Sequence, residues 1–412
     1  MMKEKNIVLI ACGKELYRKY LLEQLASEYH VWLISTENPT WQSPLITDAV
    51  KISNYTFEAI SNAVEDIQKD FPVHGLICWD ERFIMVTADV AEHYNLPTAG
   101  KAGIRGCRDK ALCRKLLSDA GLLQPQSRFC HTLNEAQEFA ERINYPLVIK
   151  PRGMGGSIGV ALAKNHEELI LRFTEADAIS HQGAEDFHSG ALLEEYIEGQ
   201  EISVDGMIVN GHYQPLFVAR KRIGLEPHFE ELGHVLHHDD PLLGEQTLID
   251  VLVKAHQTIN FQNGVTHTEL KITPKGFLII EINGRLGGDL IPWLATNAMG
   301  ISPGLIAGKI ACGDVVEAVI HKNAKNAAIS FKYPDFDMTV CDIRLPEPIT
   351  TETAQAYCVQ LAEQGDKLAL PPSGYVSRAA YALCLYQDGI DGEQLCQALL
   401  DDVKVSGQPM EK

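Results

Sequence analysis

Residues 264–289 read GVTHTELKITPKGFLIIEINGRLGGD, and two acids in this stretch, Glu269 and Glu281, decide how it is understood. Thr268 to Ile272 and Phe277 to Ile282 have the composition of strands, and Thr-Pro-Lys-Gly between them has that of a tight turn. A hairpin of this length brings the two carboxylates side by side on one face. Asn283 and Arg285 follow close behind Glu281. Two carboxylates and an amide oxygen make a hard-oxygen set suited to Mg²⁺ that also carries phosphate oxygens. Arg285 adds a planar cation for a carboxylate or an acyl phosphate. Taken alone, the stretch is equally an ordinary hairpin with solvated acids.

Upstream, residues 145–162 read YPLVIKPRGMGGSIGVAL. Leu147 to Lys150 and Gly159 to Ala163 are expected strands. The loop between them carries Gly153, Gly155, Gly156, Ser157 and Gly159. Glycines let backbone N–H groups approach phosphate oxygens closely, and Lys150 reaches the same anion. A P-loop requires GxxxxGK[ST] before a helix, so this loop is instead a flap over nucleotide phosphates. A flexible hairpin without ligand is the alternative. Residues 192–205, LLEEYIEGQEISVD, read as strand, turn and strand. Their acids form either a solvated edge or a hinge whose backbone meets an adenine edge, with one acid on the ribose.

Residues 6–105 alternate strand and helix: strands Asn6 to Cys12, His30 to Ser35 and His74 to Trp79, helices Glu15 to Tyr29, Phe57 to Asp70 and Phe83 to Tyr94. That alternation predicts a parallel sheet covered by helices, with ligands beyond the carboxyl ends of its strands. GxGxxG is absent, which removes a dinucleotide fingerprint. Asp80 and Glu81 follow the third strand, as acids at a helix start or as contacts for a substrate amino group. Arg108 to Ala120 reads as one basic helix with most of Arg108, Lys110, Arg114 and Lys115 solvated, and with Lys110 and Arg114 on one face. A strand at Ser127 to Cys130 and a helix at Leu133 to Ile143, capped by Thr132 with Glu135, complete this part.

Residues 228–240, HFEELGHVLHHDD, match no zinc ligand spacing and read as a loop, solvated or touching substrate. Leu248 to Asn260 is an amphipathic helix, and residues 290–312 hold one or two more. From about residue 326 a smaller unit has expected strands at Ala327 to Lys332, Thr339 to Arg344 and Val376 to Leu385. Its expected helices are Thr351 to Glu363 and Gly392 to Val403, and it shows no catalytic constellation.

The 412 residues, 45% hydrophobic and 22% charged, suit two or three globular domains. No run approaches the ~18 apolar residues of a membrane span. The start, MMKEKNIVLIAC, has too short an apolar core for a signal peptide and reads as a buried first strand. Ten cysteines without CxxC pairs then imply reduced thiols in a cytoplasm. The net charge of −19 argues against nucleic acid and is compatible with cationic substrates.

A lysine-glycine loop between strands, an acidic hinge and a Glu…Glu-x-Asn-x-Arg hairpin, in this order, resemble the ATP-grasp carboxylate–amine ligases. The resemblance covers most of residues 1–312. It implies an α/β and α+β architecture: an ATP-grasp fold with an N-terminal parallel-sheet α/β domain and a small C-terminal α+β subdomain. The implied domains are 1–105, a central lid domain at 106–193, and 194–412 with the subdomain from about 326. The cofactors implied are ATP and Mg²⁺, with Mn²⁺ as a substitute. Lys110, Lys150, Gly155, Gly156 and Ser157 fall at the phosphates, Glu194, Glu195, Ile197 and Ile280 at adenine, and Glu201 at the ribose. Glu269, Glu281 and Asn283 fall at the metal, and Arg285 at the transferred group. Substrate contacts fall on Glu81, His234 and Asp289.

EINGRLGGD and FEELGH are most similar to the L-amino-acid ligases, which form dipeptides. That resemblance implies an acyl phosphate attacked by a second amino acid, with small-molecule substrates, no membrane partner and compatibility with a homodimer. HHDD, where many such ligases have a proline, is a departure at the substrate pocket. Competing expectations are a biotin-carboxylase-like or purine-pathway carboxylating enzyme, and a nucleotide-binding regulator without turnover.

Overall fold

The computed structural model describes residues 4–318 and 324–410, so Met1 to Lys3 of the expected lead into the first strand lie outside the described residues. Four parallel strands open the chain: β1 (Asn6–Ile10), β2 (His30–Ser35), β3 (Asp48–Lys51) and β4 (Val73–Cys78), in the order β3-β2-β1-β4. β1 reads NIVLI and is buried along its whole length, as a central parallel strand covered on both faces must be. Helices α1 (Glu15–Glu28), α2 (Phe57–Gln68) and α3 (Ile84–His93) supply that cover. β3 was not expected: DAVK is a short, half-exposed edge strand with too few apolar residues to show a period.

The basic helix expected at Arg108 to Ala120 is two helices, α4 (Lys101–Arg108) and α5 (Lys110–Asp119). Asp109 sits between them in an extended conformation, and its carboxylate accepts the Leu112 N–H at 3.1 Å, capping α5. The expected solvation is also overturned. Arg108 and Lys110 are 7% exposed and Arg114 is 5% exposed, and only Lys115 of the four is exposed. Each buried cation has a carboxylate partner elsewhere in the chain, which a one-dimensional reading does not reveal.

β5 (Ser127–Cys130), α6 (Leu133–Ile143), β6 (Leu147–Lys150), β7 (Ala161–Ala163), α7 (His166–Ser180) and β8 (Ala191–Glu195) form an antiparallel sheet in the order β5-β8-β6-β7. Phe139, Leu147, Leu169 and Phe173 pack between the sheet and its two helices. The Thr132 hydroxyl accepts the Glu135 N–H at 3.3 Å and starts α6 where expected. A boundary after residue 193 would cut β8, which belongs wholly to this sheet.

The remaining chain builds one nine-stranded antiparallel sheet. Its first members are β9 (Gln200–Val209), β10 (His212–Gly224) and β11 (Glu230–Leu236). After α8 (Gln246–Thr258) come β12 (Gly264–Thr273) and β13 (Gly276–Asn283), then α9 (Ile291–Met299) and α10 (Pro303–Ala311). The C-terminal strands are β14 (Asn326–Lys332), β15 (Met338–Arg344), β16 (Ile349–Thr350), β17 (Ala354–Gln360), β18 (Lys367–Leu368) and β19 (Ala380–Tyr386). α11 (Gly392–Asp402) and β20 (Lys404–Pro409) finish the described chain. The large sheet runs β13-β12-β9-β10-β11-β14-β19-β17-β16, with a small sheet β18-β15-β20 beside it.

Three expectations fail here. Residues 228–240 are not a loop: β11 runs through them, paired with β10 on one side and β14 on the other. Thr351 to Glu363 is not a helix but contains β17, where Ala354 and Ala356 are buried and Gln355 between them is exposed, a period of two. The strand expected from Val376 begins only at Ala380. The unit from residue 326 shares its main sheet with the hairpin, because β14, β19, β17 and β16 extend that sheet.

Candidate active site

In the β12–β13 hairpin Glu269 stands directly opposite Glu281, and a register irregularity follows at once, between Glu269 and Leu270. Both acids line a cleft with about 1080 Å³ of free space. Lys110, Lys150, Gly156, Ser157, Glu194, Glu195, Ile197, Glu201, Ile280, Asn283, Arg285 and Asp289 line the same cleft. Gly155 sits beside it, since a Cβ there would lie 3.8 Å from Glu81 Cγ and 4.0 Å from an Arg285 nitrogen.

The cleft is held by ion pairs that cross between elements. Lys110 Nζ at the start of α5 donates to Glu281 Oε1 at 2.8 Å and to the Met154 carbonyl of the glycine loop. Lys150 at the end of β6 pairs with Glu194 at 2.6 Å, and Arg114 Nε takes the other oxygen at 2.6 Å. Burial alone would raise the Glu194 carboxyl, but Arg114 and Lys150 outweigh it and hold it at about 2. Arg114 also donates to the Ile279 carbonyl at 3.0 Å and to that of Ile280, tying β8 to β13. The hinge acid Glu194 is therefore a structural anchor for two cations.

Sequence reading missed Lys221. Its side chain is 2% exposed and meets Glu201 at 2.9 Å, Glu231 at 2.8 Å and Glu269 at 2.7 Å. Burial opposes its charge, yet the three carboxylates hold its proton well above the usual lysine range. The signal was present in the basic run Arg220-Lys221-Arg222, where strand alternation sends the middle residue to the opposite face from its neighbours. Lys271 was missed as well. It lines the cleft, donates to the Ile197 carbonyl at 2.8 Å and lies 5.1 Å from the Tyr196 ring centroid. Tyr196, Phe229, Val148 and Ile280 give this end of the cleft flat and apolar walls.

Glu81 and His234 are both committed to protein partners. Glu81 does not offer a free carboxylate to a substrate. Arg108 donates to one oxygen at 2.8 Å and Arg285 Nε to the other, and Arg108 also holds the Gly153 carbonyl at 2.8 Å. Burial pushes Glu81 up, but Arg285 and Arg108 bring it down to about 2. Glu81 thus fixes Arg285 against the base of the glycine loop. A side chain at Gly153 would put its Cβ 2.4 Å from the Phe187 ring, so the loop can approach only without one.

His234 is fully enclosed behind Asp289, at 3.3 Å from its Oδ2 and 3.4 Å from Glu231 Oε2. Arg378 from the C-terminal unit closes on both Asp289 oxygens, at 2.7 and 2.8 Å. Glu231, His234 and Asp289 bring ligand-type atoms within 4.8 Å of one another. Arg378 pairs with Asp289, and Lys221 pairs with Glu231 while also serving Glu201 and Glu269. The C-terminal unit, in which the sequence shows no catalytic constellation, reaches the cleft wall through the pairing of Arg378 with Asp289.

The hairpin residues fit a hard divalent cation. Glu269 gives one oxygen to Lys221 and Glu281 gives one to Lys110; the second Glu269 oxygen lies 3.7 Å from His267 Nε2, and neither second oxygen makes a hydrogen bond to the described residues. The Asn283 amide lines the cleft and likewise has no such partner. Behind them Asp205 accepts from the Gly287 N–H at 2.7 Å and contacts His267 at 2.9 Å, fixing the loop after Arg285. A Cβ at Gly287 would lie 2.7 Å from His267, so this loop also requires glycine.

Residues 143–292 match the ATP-grasp domain family. An alanine–anticapsin ligase of Bacillus subtilis is 27% identical over 255 residues, 56% of this chain and 52% of that protein. The chain spans about half the length of the curated relatives it matches. The structure of an L-amino acid ligase from Bacillus licheniformis superposes with a TM-score of 0.79 at 20% identity, covering 99% of this chain and 100% of that one. A biotin carboxylase from Campylobacter jejuni gives 0.70 at 16% identity, covering 98% and 92%. The chain has the ATP-grasp fold and carries an ATP-grasp domain. Within that class it is similar over its whole length to an L-amino acid ligase. Among the described residues no helix is long and apolar enough to cross a membrane.

Proposed function

We propose that this chain is an ATP-dependent ligase that joins the carboxylate of one L-amino acid to the amine of another, giving a dipeptide, ADP and phosphate. The observation that supports this most is the meeting of two phosphate-type lysines, paired hairpin acids and a fixed arginine in one cleft. Lys110, Lys150 and the loop at Gly155, Gly156 and Ser157 bind the ATP phosphates, and the hinge at Glu195 and Ile197 with Ile280 receives adenine. Glu201 meets the ribose. Mg²⁺, or Mn²⁺ in its place, held by Glu269, Glu281 and Asn283, would supply charge neutralisation at the phosphates.

A substrate carboxylate oxygen attacks the γ-phosphorus, and ADP leaves. The amine of the second amino acid then attacks the acyl carbon, phosphate leaves, and the amine loses a proton. Arg285 holds the acyl phosphate and steadies the oxyanion, and Glu81 keeps it aligned. The glycine loop excludes water that would hydrolyse the intermediate. Asp289, held by Arg378 with His234 behind it, lines the same cleft as Arg285 and contacts the substrate. All ten cysteines are unpaired, which suits a reducing cytoplasm.

Phosphate release measured over a panel of amino acids tests this. Release that requires a second amino acid supports the ligase. Release with bicarbonate alone favours the carboxylating reading, to which the likeness to biotin carboxylase gives weight as a shared fold. No release with any acid sinks both.

A further inference from the structure

A second cleft, with about 910 Å³ of free space, opens between the β1–α1 connection, the β4–α3 connection and the loop after Arg285. It shares Arg285 and Gly288 with the nucleotide cleft, so the two meet at the group proposed to hold the reacting carboxyl. Gly288 has open space where a side chain would stand.

The charged residues on its walls are mostly committed. Asp80 pairs with Arg82 at 2.7 Å, and Glu81 is taken by Arg108 and Arg285. Arg18 of α1 is different. It donates only to the carbonyls of Trp79 at 3.2 Å and Tyr17 at 3.4 Å, and no carboxylate among the described residues pairs with it. A guanidinium has five N–H donors, so most of its capacity stays uncommitted on the wall of a cleft. Burial and the nearby charge of Arg285 disfavour its cationic form and Tyr20, Cys12 and Asp80 favour it, the balance staying below the usual arginine range, so an anion between the two arginines would add to the favourable side. Gly13 and Lys14 line the same cleft, and Lys14 caps α1 without any side-chain hydrogen bond. The first N–H groups of a 14-residue helix are thus left without a side-chain acceptor there.

We propose that Arg18, with the uncapped start of α1, is the carboxylate subsite for the amine-bearing amino acid. This rests on the ligase reading. Of the two amino acids joined, one loses its carboxylate to the new bond and the other keeps it. The kept carboxylate needs a cation that is neither Arg285 nor a phosphate lysine. Arg18 supplies it on the far side of Arg285, from where the amine of the same molecule points back toward the acyl group. The ligand class is therefore an L-amino acid with a free α-carboxylate, and not a phosphate, whose sites lie across Arg285.

The test is calorimetric titration of the ADP-saturated protein with a panel of amino acids and the matching amino-acid carboxamides, in wild type, Arg18→Ala and Arg18→Lys. Wild type should prefer at least one free acid over its amide by roughly ten- to a hundredfold, the range of a charge-assisted hydrogen-bonded pair. Arg18→Ala should abolish that preference and Arg18→Lys should keep part of it, which also serves if the alanine variant does not fold. In turnover, Arg18→Ala should raise KM for the amine-bearing amino acid with KM for ATP unchanged. An equal preference in all three proteins, no binding by wild type, or displacement by inorganic phosphate but by no amino acid overturns the subsite. If wild type releases no phosphate with any amino-acid pair yet shows the Arg18-dependent preference, the ligase reading fails and the subsite stands.

Discussion

Arg378, in the C-terminal unit, grips both oxygens of Asp289 on the cleft wall, at 2.7 and 2.8 Å, while its guanidinium carbon lies 3.6 Å from the Phe331 ring centroid. Bidentate geometry and an aromatic face make this a pair that lysine does not reproduce. Arg378→Ala leaves the Asp289 carboxylate without its main counter-charge and should cost about 3–5 kcal/mol in urea unfolding. Arg378→Lys should recover only part of this. A loss below ~1 kcal/mol would show that the pair is solvent-screened.

Lys221 is the shared counter-charge of three acids, Glu201, Glu231 and Glu269. Lys221→Met should destabilise the fold by several kcal/mol and also weaken nucleotide binding, because Glu269 on the phosphate side and Glu201 on the ribose side would lose their shared counter-charge. Titration with ADP reads the second effect directly. Unchanged ADP affinity in a folded Lys221→Met protein would separate the triad from the nucleotide.

The pH dependence follows from Glu194. Its folded value of about 2 lies below the ordinary 4.5, so it binds protons less readily in the folded state. Its stabilising contribution is present above about 4.5 and is lost as pH falls through about 2. Acid unfolding followed by circular dichroism should show this limb, and Glu194→Gln should flatten it while lowering stability at neutral pH. His234 acts with the opposite sign. Burial lowers it, but Asp289 and Glu231 raise it above 6.5 overall, so its contribution is full below 6.5 and fades as pH rises through the raised value.

Glu281→Gln should abolish phosphate release, by more than roughly a hundredfold, with the fold intact, since one proposed metal oxygen is lost and Lys110 loses its partner. Turnover near the wild-type rate would falsify the metal assignment.

Much of this arrangement was legible in the sequence because it is local. The hairpin and the glycine loop announce themselves by turn residues and alternation, and Glu269 opposite Glu281 follows from strand length. Arg108, Lys110 and Arg114 read as solvated because their partners Glu81, Glu281 and Glu194 lie far away in the chain. β11 reads as a loop because its histidine and acids look hydrophilic, although inside the fold Lys221 meets the Glu231 carboxylate, Tyr333 one Glu230 oxygen and Asp289 the His234 ring. β17 carries small residues whose helical and strand preferences compete, and pairing with β19 decides. Arg378 carried no signal at all, because a lone arginine before a strand is ordinary.

The continuity of the nine-stranded sheet bears on how such a protein can be taken apart. β14 pairs with β11, so a fragment ending before residue 326 would bare a hydrogen-bonding edge in mid-sheet and strip Asp289 of its counter-ion. The last fifth of the chain is therefore not a cassette to be swapped between relatives at a linker. A chimera that redirects substrate choice would have to exchange β11, the Arg285–Asp289 loop and Arg378 as one inherited block.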